Sequence, residues 1–140
     1  MKRHPALVSL SHDHHQALFL AQQMRRCEPA DGAKVAAAFQ AWWAPGGQRH
    51  FQLEEEILFP TLAATDVAED DPLIVRALID HMVIRRDAKL VDAEADVELL
   101  RSLGTRLSDH VRLEERQIFP LLEEKLTGDQ LTALAGELEA

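Results

Sequence analysis

Apolar residues recur along this chain at intervals of three and four, and nowhere in the strict alternation of a half-buried strand. The first stripe reads Leu7, Leu10, His14, Ala17, Leu18, Ala21 and Met24. It predicts a helix from an N-cap at Ser9 to about Cys27, broken by Glu28-Pro29-Ala30-Asp31-Gly32. A second stripe carries Val35, Phe39, Trp42, Gly46, His50, Leu53 and Ile57. Pro45-Gly46-Gly47 interrupts it without changing its phase, which predicts one kinked helix rather than a loop, ending near Pro60 or shortly beyond. Asp71-Pro72 places an N-cap and a first-turn proline before a third stripe of Ile74, Leu78, His81, Ile84, Ala88 and Val91. After the polar run 92–96 comes a fourth: Leu100, Leu103, Leu107, His110, Glu114, Gln117 and Leu121. Thr127 and Gln130 have capping-box spacing and open a short tail helix with Leu131 and Leu134 inward. The expected fold is all-α: an up-down-up-down antiparallel four-helix bundle with a short C-terminal fifth helix. Residues 1–140 are expected to form one domain.

Composition narrows the chemistry. Lys and Arg total 15 against 24 Asp and Glu, a formal net charge of −9 that argues against nucleic acid and anionic membranes as partners. The single cysteine, Cys27, excludes an internal disulfide and a cysteine-built zinc or iron–sulfur site. No window approaches the ~20 apolar residues of a membrane span, and a cytoplasmic location is expected. Against that plain background stand 7 histidines and no tyrosine.

A repeat accounts for most of those histidines. His50-Phe51-Gln52-Leu53-Glu54-Glu55-Glu56-Ile57-Leu58-Phe59-Pro60 returns 60 residues later as His110-Val111-Arg112-Leu113-Glu114-Glu115-Arg116-Gln117-Ile118-Phe119-Pro120, identical at six of eleven positions. Histidine and glutamate four apart stand one above the other on a helix face. Both pairs lie in phase with the apolar stripe and so point into the bundle. A buried imidazole and carboxylate need a partner, and a metal ion supplies one; this donor set suits iron, zinc or manganese. The third helix adds His81. On the first helix, His14 shares the apolar stripe whereas His15 shares a wetter one with Gln22 and Arg26, so His14 is preferred and His15 is the fallback. His14, His50, Glu54, His81, His110 and Glu114 are too many ligands for one tetrahedral ion and about right for two. Glu54 and Glu114 are the natural bridges, and positions remain for water or a small exogenous molecule.

Neighbouring charges read differently. Glu55, Glu56 and Glu115 lie about 100° or more off the stripe, as a solvated face would. Asp13, Asp80 and Asp109 each precede an inward histidine, but adjacent residues on a helix do not face each other, so they read as outer-face charge. Trp42, Trp43, Phe59 and Phe119 read as core packing.

The Asp13-His14-His15 segment, the two His-x-x-x-Glu-Glu…Phe-Pro segments and the single third-helix histidine together resemble the hemerythrin-like, or HHE cation-binding, family. The resemblance implies two iron ions (Fe2+/Fe3+) with a bridging oxo or hydroxo group, zinc or manganese being possible substitutes. It also implies reactivity toward dioxygen, nitric oxide or peroxide at an open iron position. Oxygen-carrying relatives have a second third-helix histidine where this chain has Arg85, and a His-to-Asp spacing of five where His110 and Glu114 are four apart; both differences weigh against pure oxygen transport. The expected function is a di-iron protein that binds or senses dioxygen, nitric oxide or peroxide, with no protein partner indicated. The alternatives are a redox enzyme consuming peroxide or nitric oxide or donating iron to damaged clusters, and a simple iron or zinc store.

Overall fold

Proline and short polar side chains set where the helices begin. The computed structural model describes residues 2–140, and among them there is no strand. The first helix, α1 (Val8–Arg25), follows a 3-10 turn at Pro5–Leu7. The extended His4 caps that turn, its ring Nδ1 accepting the Ala6 N–H at 3.0 Å. The chain is thus already wound when it reaches Ser9, which lies inside α1 rather than at its cap. The second helix, α2, covers 32–63; α3 is Pro72–Ala88, α4 covers 97–125 and α5 is Gly128–Glu139. Asp71 caps α3 through the Leu73 N–H, and Thr127 with Gln130 forms a reciprocal capping box for α5, both as their spacing predicts.

Three wide π turns interrupt the two long helices: Trp43–Gly47 and Glu54–Leu58 in α2, and Glu114–Ile118 in α4. Each contains or closely precedes a proline: Pro45, Pro60 or Pro120. Proline lacks the N–H of the regular ladder and its ring clashes with the carbonyl four residues back, which a widened turn relieves. The turn at Trp43–Gly47 keeps α2 helical through Pro-Gly-Gly, so no loop forms there.

The buried stripes differ from the expected ones, in α4 because of a wide turn. In α2 the inward stripe runs Ala36, Phe39, Trp43, Gly47, His50, Glu54 and Leu58, in place of Val35, Trp42, Gly46 and Ile57, with Gly32, Phe51, Phe59 and Leu62 also buried. In α4 a π turn beginning at Glu114 moves the inward positions from Gln117 and Leu121 to Ile118 and Leu122. On α3, Leu78 is exposed and Ala77 takes its place in the core.

The core is divided by a polar layer. One apolar cluster gathers Leu10, Leu58, Leu62, Ile74, Ile118 and Phe119 under α5, which adds Leu131 and Leu134. The other gathers Ala17, Met24, Phe39, Phe51, Ile84 and Leu107. Between them in sequence on every long helix sits a buried ionisable residue: His14, His50 with Glu54, His81, and His110 with Glu114.

The principal packing partner of α1 is α4. Arg3 pairs with Glu123, His14 meets Glu115 and Arg101 donates to the Cys27 carbonyl, so contacts ascend one helix as they descend the other. The two helices approach closely at Gly104. A Cβ there would lie 2.7 Å from the Met24 Cβ and 2.9 Å from the Ala21 carbonyl oxygen. Alanine favours helix over glycine by about 1 kcal/mol, but overpacking against a neighbouring backbone costs about 1–3 kcal/mol. Gly104→Ala is therefore expected to lower stability by about 1–2 kcal/mol in urea unfolding, the steric cost exceeding the propensity gain. A stabilised variant would show that α1 moves aside freely.

Candidate metal centre

The polar layer is one constellation. His14, His50, Glu54 and Glu114 form a group whose candidate ligand atoms all lie within 4.8 Å of one another, and Glu54, His81, His110 and Glu114 form a second. The two glutamates belong to both. All six side chains are buried, Glu54 and Glu114 completely. His15, the fallback on α1, is exposed, as is His12, and neither belongs to these groups.

Each imidazole turns one nitrogen to the centre and the other to an outer carboxylate. His14 Nε2 is 3.0 Å from Glu114 Oε1, His50 Nε2 is 3.2 Å from Glu54 Oε2, and His81 Nε2 is 3.0 Å from Glu54 Oε1. His110 Nε2 lies 3.3 Å from Glu114 Oε1 and 3.1 Å from His81 Nε2. On the outer side, His14 Nδ1 meets Glu115 at 2.7 Å, His50 Nδ1 meets Asp13 at 3.0 Å, His81 Nδ1 meets Glu55 at 2.7 Å and His110 Nδ1 meets Asp80 at 3.1 Å. An ionised carboxylate only accepts, so each Nδ1 carries the hydrogen and donates it.

These outer contacts overturn the reading of Glu55, Glu115, Asp13 and Asp80 as solvated charge. The connections run in a circle around the helices. Asp13 on α1 holds the histidine of α2, Glu55 on α2 holds that of α3, Asp80 on α3 holds that of α4, and Glu115 on α4 holds that of α1. Adjacent residues do diverge by about 100°, which is why each carboxylate misses its own helix's histidine and reaches one on the next helix. The signal was present as an acid beside each inward ligand, but it needed the neighbouring helix to be intelligible. Asp80 also binds Arg76 and Arg106, and Glu55 binds Arg85. Glu56 and Asp109 are exposed as expected.

Aromatic rings hold the imidazoles flat. His81 stacks on Phe51 with centroids 3.9 Å apart and planes 4° from parallel, and His14 stacks on Phe119 at 5.2 Å. The π turns that start at Glu54 and Glu114 let each glutamate point inward while Phe59 and Phe119, five residues on, also pack inside.

The electrostatics favour cations. Burial alone would lower the histidine pKa values, but the surrounding carboxylates more than reverse it. Glu54 and Asp13 raise His50 to about 10. His14 is raised by the hydrogen bonds it donates to Glu114 and Glu115, and His81 by those it donates to Glu54 and Glu55; His110 is raised well above its usual value, chiefly by the Glu114 charge. Burial would raise Glu54, and the His50 charge with the imidazoles of His110, His50 and His81 gathered around it instead holds it well below the usual carboxylate range. Protons do not complete the site, however. Glu54 Oε1 and Glu114 Oε2 are buried without a partner in hydrogen-bond geometry. The Nε2 atoms of His81 and His110, 3.1 Å apart, cannot both carry hydrogens aimed at each other. Converging imidazole nitrogens with orphaned buried carboxylate oxygens are a donor set that fits metal cations.

A family model described as the hemerythrin HHE cation binding domain matches residues 6–125, most of the chain. No curated protein and no solved structure gives a significant match.

Proposed function

The chain belongs to the hemerythrin HHE cation-binding family, and from that premise we propose that it is a single-domain, cytoplasmic di-iron protein that binds or senses dioxygen, nitric oxide or peroxide. Its helices then form the up-down-up-down antiparallel bundle of that family. The observation that carries the reading is the convergence of four histidine Nε2 atoms on two shared, buried carboxylates, one oxygen of each left without a hydrogen-bond partner.

His14 and His50 would hold one ion and His81 and His110 the other, with Glu54 and Glu114 common to both. Iron, when bound there, supplies one-electron redox chemistry and a position open to a small ligand. The protein's own part is to hold the imidazoles in one tautomer through the outer carboxylates and to exclude bulk water with the two apolar clusters. Metal analysis of freshly purified protein is expected to find about two irons per chain, and nitric oxide titrated into the reduced protein is expected to change its spectrum stoichiometrically. One transition ion or none after growth in iron-rich medium would overturn the reading. Sustained consumption of excess peroxide would replace sensing by catalysis.

The circle of outer carboxylates makes a separate prediction. Glu55→Gln and Glu115→Gln keep the volume but remove the charge that His81 and His14 donate to. Each is expected to weaken metal affinity about 10–100-fold in competition with a chelator, with little change in helix content. Unaltered affinity in both variants would deny these carboxylates any hold on the ligands.

A further inference from the structure

A pocket of about 380 Å³ opens from the surface onto one side of the constellation. His14, His50 and His110 lie at it, and His81 does not. Its walls include Ala17, Trp42, Leu107 and Val111, and its rim is formed in part by the π turn that carries Pro45 and Gly46. The size is the first point. One water occupies about 30 Å³ of liquid, so the pocket has room for about ten heavy atoms, far more than a diatomic ligand needs. It falls within the range of about 300–1,000 Å³ typical of organic-ligand sites.

The second point is how the room is made. A Cβ on Gly47 would lie 2.8 Å from the Trp43 ring and 2.9 Å from that of Trp42, so glycine lets both indoles pack against the turn. A Cβ on Gly46 would meet nothing within 4 Å. The wide turn therefore presents an indole to the pocket and leaves its rim open. The third point is polarity. The walls are mainly hydrocarbon and aromatic, and the polar lining includes the three histidines with Asp13 hydrogen-bonded to His50. The pocket's two charged residues besides the histidines are already engaged, Asp13 by His50 and Arg49 by the Ala140 carbonyl, which leaves no free ion-pairing group for a charged occupant.

We propose that this pocket binds a neutral, single-ring organic molecule whose one hydroxyl group points to the His14–His50 side of the centre. The hydroxyl's direction rests on the metal reading; the hydrocarbon part of the site does not.

Calorimetry on the iron-loaded protein tests it, with iron counted on the same sample and three probes: 4-methylphenol, toluene and 4-methylbenzoate. The expected result is one equivalent of 4-methylphenol with a Kd of about 1 mM or tighter, toluene about tenfold weaker or worse, and no saturable binding of 4-methylbenzoate. Gly46→Phe and Ala41→Phe, both at exposed positions on the pocket, are expected to weaken 4-methylphenol about tenfold or more without changing the iron content. Absence of saturable 4-methylphenol binding in a sample with two irons overturns the inference and leaves the metal reading standing. Binding unaffected by both phenylalanine variants places the ligand elsewhere and also overturns it. Toluene or 4-methylbenzoate binding as tightly as 4-methylphenol overturns the assigned chemistry. If the sample holds no iron, the metal reading fails, and the pocket is decided by the same titrations and variants.

Discussion

Glu54→Ala is expected to strip both metal positions at once, whereas His81→Ala is expected to affect mainly one. Glu54 and Glu114 belong to both groups of converging ligands, and each histidine belongs to one. On the proposed two-ion reading, removing a glutamate would take a ligand from each ion and remove negative charge shared by both groups. His81→Ala leaves His14, His50 and both carboxylates in place. The loss in Glu54→Ala should exceed the about 10–100-fold expected for an outer carboxylate, since a direct ligand is gone. Iron counted after desalting should fall from about two per chain to well below one for Glu54→Ala, and to about one for His81→Ala. Glu54→Gln is the companion variant: it keeps the side-chain volume, so any loss of iron in it cannot be attributed to a cavity. Two irons retained in both Glu54 variants would remove the glutamate from the ligand set. Equal and complete loss in His81→Ala would make the two positions inseparable.

The contrast between those variants depends on groups whose placement was legible in sequence to different degrees. His14, His50, Glu54, His81, His110 and Glu114 share the phase of the apolar stripes, and the structure brings all six together. The choice between His14 and His15 was likewise decided by phase, since one position of difference turns a side chain by about 100°. What phase could not supply was the change of pitch. A strict 3.6-residue count carried through Glu114 puts Gln117 and Leu121 inside, and the π turn substitutes Ile118 and Leu122. Pro60 and Pro120 marked both sites of strain, but a proline shows where a helix must adjust rather than how. The outer carboxylates were hidden for another reason. Asp13, Glu55, Asp80 and Glu115 act between helices, and their roles follow only from which helix is next to which. The pocket beside Trp42 was equally beyond reach, because it is lined by residues of three helices whose packing the sequence does not give.

Those same carboxylates make stability depend on pH in opposite ways with and without metal. In the metal-free protein the four histidines have raised pKa values, His50 reaching about 10. A group that holds its proton more tightly folded than unfolded stabilises fully below its unfolded pKa, near 6.5 for histidine. That contribution fades as pH climbs through the folded value. The metal-free protein is therefore expected to lose stability steadily as pH rises above 6.5, with the His50 contribution persisting to about pH 10. On the acid side the sign reverses. Glu54, Glu55, Asp80 and Glu115 have lowered values, so their contribution is present above about pH 4.5 and is lost as pH falls through the folded values. Metal-free stability should therefore peak in mildly acidic solution. Metal ions would compete with protons for the same Nε2 atoms. Binding must release protons, so metal-derived stability grows as pH rises. Thermal melts in chelator are expected to fall from pH 6.5 to 9 while melts of the loaded protein hold or rise, the gap widening throughout. Calorimetry in buffers of different ionisation enthalpy should register the released protons directly. Parallel melting curves with and without metal, or metal uptake that releases no proton, would mean that the histidines are not the groups the metal engages.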